Sequence, residues 1–428
     1  MRRGRRFPRG LLLLLPFVAV AAPAHPQTQP FVLGDLGAGT VELLFGADAF
    51  DGTDVRGFCL LFEDLPRRPT YASVRGRGFG VSRALLEVTA AGRSTRYEID
   101  VPSNVSRVCI PCPGLSGFVP QRLRLSWVGA ASAGRTLKNV EPLRASAGAP
   151  IPAELGAMLS FLPEQWRQPR YEVFRWTDEP AILIFDTASY EVQDRLFKRL
   201  AFFVEKKAYA GTIPGFQSIA GLHGFNAHDY RAEDLARFFS TADRLGIHLL
   251  SEEQELEGIL LGAGVLRKEN GAVRAGTGGV ISISRSGTAE LRTRLLTHEA
   301  LHGLYFTSPG FRASVTAVWD GADEELRQFV RLYLSWPEWG YDLSNSYLLV
   351  NEFMAYLLQY TEDEMLSKLF ESGITWLRER YPDRAAWLTR FGKSGRAEIT
   401  AAYRALEELL WRELGVGGGR LVGLRPAR

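Results

Sequence analysis

The chain has 428 residues, of which 46% are hydrophobic, 11% aromatic and 23% charged, and its formal net charge is +3. That length suggests two or three domains, each able to bury a core. The hydrophobic share excludes a mainly disordered chain, and the charged share excludes a multi-span membrane protein.

Arg2, Arg3, Arg5, Arg6 and Arg9 form a basic head without an acid, and an apolar run follows from Leu11 to Ala22. Ala22-Pro23-Ala24 has the small-x-small form of a signal-peptidase site, so residues 1–24 read as a signal peptide cleaved near Ala24. At 12 residues the run is shorter than the roughly 20 that span a bilayer. The expected mature protein is secreted or periplasmic, with no stable membrane span. Removing the leader, which carries five arginines and no acid, takes the formal charge from +3 to −2. The basic balance therefore belongs to export, and no nucleic-acid partner is expected.

Residues 30–147 read as a β-sandwich-like domain. Val41–Phe45, Phe58–Phe62, Ala84–Val88 and Leu123–Trp127 are short strand-like runs separated by Gly, Asp, Pro and Ser turns. Cys59, Cys109 and Cys112 suit an oxidising compartment; one disulfide with Cys59 as a partner and one remaining thiol are expected. Asn104-Val105-Ser106 is a glycosylation sequon. The stretch from Ala145 to Pro152 reads as a linker.

Beyond it, over 165–415, the pattern is α/β and mainly helical, which makes the whole chain α+β. Ala181–Phe185 has strand length; Val192, Leu196, Leu200 and Phe203 recur at helical spacing. A second apolar stripe runs from Leu235 to Leu245 and stops at Gly246, a helix C-cap. Ser251 with Gln254 and Thr361 with Glu364 form capping-box patterns. Val280–Ile283 alternates like a half-buried strand, and the chain closes with Gly415–Gly419 and a short basic tail.

The chemistry concentrates in His298-Glu299-Ala300-Leu301-His302. Residues four apart on a helix sit one above the other, so two imidazoles can converge on one Zn²⁺ while Glu299 reaches a water at the metal. Thr288 can cap such a helix, and Leu291, Leu295, His298, His302 and Tyr305 share its inward face. No histidine follows His302, so a third ligand must be a carboxylate. Glu352 fits best, because it lies in the otherwise apolar run from Leu348 to Tyr356 and buried carboxylates are rare unless paired or bound to metal. Asp323, Glu324 and Glu325 read instead as an acidic first turn, and Glu338 and Glu362 as turn residues.

His298-Glu299-x-x-His302 followed by Asn351-Glu352-x-x-Ala355 resembles the gluzincin zinc metallopeptidases. That resemblance implies a zincin-like fold, zinc held by His298, His302 and Glu352, Glu299 as general base, and a peptide or protein substrate. Two features depart from familiar members. The segment between His302 and Glu352 spans 49 residues, and Tyr356 stands where thermolysin-like members carry an acid.

Other positions suit a cleft less strongly. His223, Asn226, His228, Asp229 and Tyr230 read either as a polar loop ahead of a helix, with Asp229 as its cap, or as cleft lining that supplies an oxyanion donor. Tyr305, Tyr341 and Tyr347 are unranked donors, and Trp336–Trp339 is an aromatic turn. The expectation is a zinc metallopeptidase whose strand Val280–Ile283 holds an extended peptide by backbone pairing. The alternative is a zinc-containing, non-proteolytic binding or cell-surface protein, which would have no use for an intact Glu299.

Overall fold

The structure is a computed structural model that describes residues 32–35, 40–45, 50, 54–63, 70–75, 82–90, 92–101, 105–112, 120–128, 136–222, 224–337 and 339–426. The leader, Asn104, His223 and Glu338 lie outside these residues. The chain is α+β, with a sheet-rich N-terminal region followed by a mainly helical C-terminal one. Among the described residues no helix is long and apolar enough to cross a membrane.

The expected N-terminal strands are present as Thr40–Leu44, Val55–Phe62, Ser82–Ala90 and Pro120–Trp127. Arg93–Val101 escapes the hydrophobic pattern because its first half is exposed and polar. Two antiparallel sheets result. One runs Val32–Asp35, Thr40–Leu44, Pro120–Trp127, Ser82–Ala90, Arg93–Val101 and Leu424–Pro426; the other runs Arg107–Pro111, Val55–Phe62 and Leu137–Arg144. Leu86, Ile99 and Leu123 from the first meet Phe58, Leu60 and Val140 from the second in one core, as side-chain alternation in a sandwich requires. Cys59 and Cys109 are cross-strand neighbours joined by a disulfide, which leaves Cys112 as the buried thiol.

The chain end corrects its sequence reading. Leu424–Pro426 is not a loose tail but pairs with Tyr97–Ile99, closing the C-terminus onto the N-terminal sheet. Glu154 holds the crossing point. Its carboxylate accepts from Ala157 N at 2.9 Å, capping the short helix Leu155–Leu159, and from Gly423 N at 2.9 Å. Burial still pushes this carboxyl up to about 7, against both donors. The Leu424 carbonyl lies so close to Gly156 that no Cβ fits between them.

The second region is built on a five-stranded sheet ordered His228–Arg231, Gly279–Ser284, Ile182–Thr187, Tyr171–Trp176 and Ile151–Ala153. The expected linker therefore ends in a strand, upstream of residue 165. Gly279–Ser284 is buried along its whole length, with parallel Ile182–Thr187 on one side and antiparallel His228–Arg231 on the other. Both its edges are taken, so it cannot receive a peptide by backbone pairing as expected from the sequence; the sheet edge lies at His228–Arg231. Its alternation reflects two buried serines rather than a solvent face. Ser282 Oγ satisfies Gln193 Nε2 at 2.9 Å and lies 3.0 Å from His228 Nδ1.

Helix Ala289–Thr307 crosses this sheet. Thr288 caps it by accepting from Leu291 N at 3.2 Å, and Glu290 complements its positive end. Gly303 lets it approach closely, since a Cβ there would lie 3.3 Å from Ile182. Its first turns are anchored by Arg292, 2.8 Å from the fully buried Asp186, which also pairs with Arg285 at 2.6 Å. The next helices are Pro309–Asp320, Glu324–Leu334 and Ser346–Leu358. One capping reading shifts by a residue: Leu250 is the N-cap of Ser251–Ala263, and Glu253 reaches back to its N–H at 2.8 Å. Glu253 is drawn there because buried Arg199 lies 3.0 Å away. The Thr361–Glu364 box forms as expected.

Gly156→Ala is expected to dislodge the terminal strand. Amide exchange over residues 421–425 should accelerate, and unfolding free energy should fall by about 1–3 kcal/mol. Unchanged exchange would contradict this account of the closure.

Candidate metal centre

The helix Ala289–Thr307 presents Leu291, Arg294, Leu295, His298, Glu299 and His302 to a cleft of about 390 Å³. His298 and His302 sit one turn apart, their rings edge to face at 4.5 Å and their Nε2 atoms 3.0 Å from each other. The helix Ser346–Leu358 forms the opposite wall. Asn345 caps it by accepting from Tyr347 N and Leu348 N. The two helices pack against each other, and Ala355 of the second is fully buried.

This packing carries Glu352 Oε2 to 3.4 Å from His298 Nε2 and 3.7 Å from His302 Nε2. That oxygen is buried and accepts no hydrogen bond. A buried acceptor left unsatisfied costs about 1–3 kcal/mol, and a charged one more. An orphaned carboxylate oxygen facing two imidazole nitrogens is a donor set for a cation. His298, His302 and Glu352 can hold a metal ion. The rival carboxylates are occupied elsewhere. Asp323 caps Glu324–Leu334, Glu324 lies 2.9 Å from Arg327, and Glu362 pairs with Arg404 at 2.7 Å.

Burial lowers His298 to about 4, which keeps its ring neutral with a lone pair available at neutral pH. The same desolvation raises Glu352, and it raises Glu299 well above the carboxylate range, helped by Asp229, Glu352 and Glu205. Those four acids all line the cleft. Asp229, Glu299 and His302 form a second group that could hold a metal ion, their ligand atoms within 4.8 Å of one another, and it shares His302 with the first.

Glu205 is the site residue that the sequence did not single out, and Asp229 stands out there only as part of a polar loop and as a helix cap. Asp229 is not a helix cap, since the N-cap of Ala232–Leu245 is Arg231. It lies in the four-residue edge strand, too short for alternation to register in the sequence. Glu205 follows directly on the amphipathic helix Tyr190–Val204, where an acid reads as surface.

The aromatic residues separate into two groups. Tyr341 lines the cleft and hydrogen-bonds both Glu352 and Tyr356. Tyr356 packs edge-on against the His298 ring at 5.0 Å, where thermolysin-like members carry an acid. Trp339 also lines the cleft and stacks on Tyr356 at 6.0 Å. Tyr305 and Tyr347 pack on each other at 5.2 Å and are not among the described lining residues. Trp336 packs on Trp376, and His248 is exposed.

No protein-family model matches this chain, and no curated protein or solved structure does.

Glu352→Ala is expected to weaken divalent-metal affinity by more than about 100-fold, since a lost ligand should exceed the 10–100-fold of an outer-shell change. Thermal stability of the metal-free protein should change little, because removing the buried oxygen that lacks a partner offsets the loss of the Tyr341 contact. Competition against a chromophoric chelator checks the first expectation and calorimetry the second.

Proposed function

We propose that the chain is an exported zinc-dependent metallopeptidase of the gluzincin kind, with zinc held by His298, His302 and Glu352. The observation that carries this reading is the spacing of the three donors around an adjacent, uncommitted Glu299. Four ligands about 2.0–2.1 Å from a tetrahedral ion lie about 3.3–3.4 Å apart. The three separations here, 3.0, 3.4 and 3.7 Å, bracket that value. Two imidazoles and one carboxylate suit zinc, and three protein ligands leave one position open.

A Zn²⁺ bound there would act as a Lewis acid, polarising a carbonyl and acidifying water. Glu299 lies next to the ligand His298 and is held by burial at a raised proton affinity. It is suited to take a proton from the attacking water and later pass it to the leaving nitrogen. Tyr341 supplies the hydroxyl in this cleft closest in role to a transition-state donor, because Glu352 and Tyr356 orient it. His228 presents a second polar ring, fixed through Ser282. The edge strand His228–Arg231 offers the main chain against which an extended peptide can pair beside the metal position. The proposed secreted or periplasmic location rests on the leader of residues 1–24.

A non-proteolytic zinc protein has no need of a buried carboxylate at Glu299 that is not a ligand. Glu299→Gln separates the two readings. Zinc content should stay at the wild-type level, while hydrolysis of a denatured protein substrate falls by at least about 1,000-fold. Equal hydrolysis by the variant, or none by the zinc-loaded wild type, would overturn the peptidase reading. Tyr341→Phe should lower kcat by about 10–1,000-fold with zinc content unchanged. A change confined to KM would remove the transition-state role.

A further inference from the structure

The cleft carries an unequal distribution of charge that the metal site does not use. Among the described lining residues Arg294 is the single lysine or arginine, against the acids Glu205, Asp229, Glu299 and Glu352. Other arginines around this sheet and helix are committed. Arg292 and Arg285 pair with Asp186, Arg231 with Asp234 at 2.8 Å, and Arg312 donates to the Tyr305 and Phe306 carbonyls. Arg294 makes no hydrogen bond or ion pair among the described residues.

Its position gives the free guanidinium a direction. Arg294 precedes His298 by four residues, so its Cβ stands about 5–6 Å along the helix from that ligand, on the same face. Asp229 groups instead with Glu299 and His302, one turn further on. The one cation among the described lining residues therefore stands a turn before His298 and pairs with none of the acids grouped around the two imidazoles. A guanidinium presents a planar fork of donors that matches a carboxylate in two parallel hydrogen bonds. Half-buried in the cleft lining, it is partly withdrawn from competing water.

We infer that Arg294 is a specificity-determining residue that binds a carboxylate of the peptide substrate, within a residue or two of the bond cleaved. The inference rests on the peptidase reading and names its substrate class: acidic peptides, or peptides ending in a free carboxylate near the scissile bond. Both sources share one chemistry, and matched peptides distinguish them.

The test uses the full-length, zinc-loaded protein with peptide pairs that differ only in Glu against Gln, or in a free against an amidated C-terminus. Wild type should cleave the anionic member of one pair about 10- to 100-fold faster in kcat/KM, the range expected for a hydrogen bond to a charged group. The pair that shows the preference identifies the source. Arg294→Gln should abolish that ratio, with the loss falling on the anionic peptide, while Arg294→Lys restores part of the ratio. A binding arm uses the zinc-loaded Glu299→Gln protein and the same peptides, fluorescently labelled, read by anisotropy. The anionic preference should appear there too and vanish on adding Arg294→Gln. Cleavage without a charge preference, or a preference that survives Arg294→Gln, overturns this inference alone. Charge-dependent binding without any cleavage by wild type supports it and overturns the peptidase reading instead.

Discussion

Carboxylates gathered in a poorly solvated cleft repel one another and lose their hydration, and only protonation or a cation offsets that cost. Glu205, Asp229, Glu299 and Glu352 share such a cleft with two imidazoles, and burial raises every one of the four acids. Few arrangements of a folded chain tolerate this without purpose. His298, His302 and Glu352 could hold a metal ion, which would offset the penalty on the buried carboxylate.

The rest of the second region keeps those groups in place. The sheet carries the first helix at fixed depth, because Gly303 sits on Ile182 and the buried Asp186 ties Arg292 and Arg285 at the helix start. Losing one partner of that network would leave a charge buried and unpaired, so it fixes orientation more than it adds stability. The segment between the two ligand-bearing helices is filled by two further helices and the aromatic turn, which brings Trp339 and Tyr341 over the site. The N-terminal sandwich is tied in by the returning strand Leu424–Pro426 through Glu154. Removing that strand therefore reaches both regions.

Much of this was legible before any coordinates. The two histidines and Glu299 follow from helical period and residue type, and Glu352 from the oddity of an acid in an apolar run. Thr288 and Gly246 mark helix ends because cap chemistry is local. What escaped was non-local. The pairing of Cys59 with Cys109 rather than Cys112 depends on strand register, and the buried course of Gly279–Ser284 depends on having neighbours on both edges. Asp229 looks like a helix cap and Glu205 like a surface acid until the edge strand and a helix end meet in the same cleft. The terminal strand offers three residues and no pattern, so only the waiting edge at Tyr97–Ile99 defines it.

The account stands on the claim that these buried donors exist to hold one metal ion. Metal-free protein titrated with Zn²⁺ and followed by calorimetric unfolding tests it most directly. One equivalent per chain should saturate the site and stabilise the fold by about 4 kcal/mol once free zinc exceeds its dissociation constant a thousandfold. That gain should disappear when His298 and His302 are both replaced by alanine. Substoichiometric uptake, or a stabilisation that survives the double replacement, would contradict it.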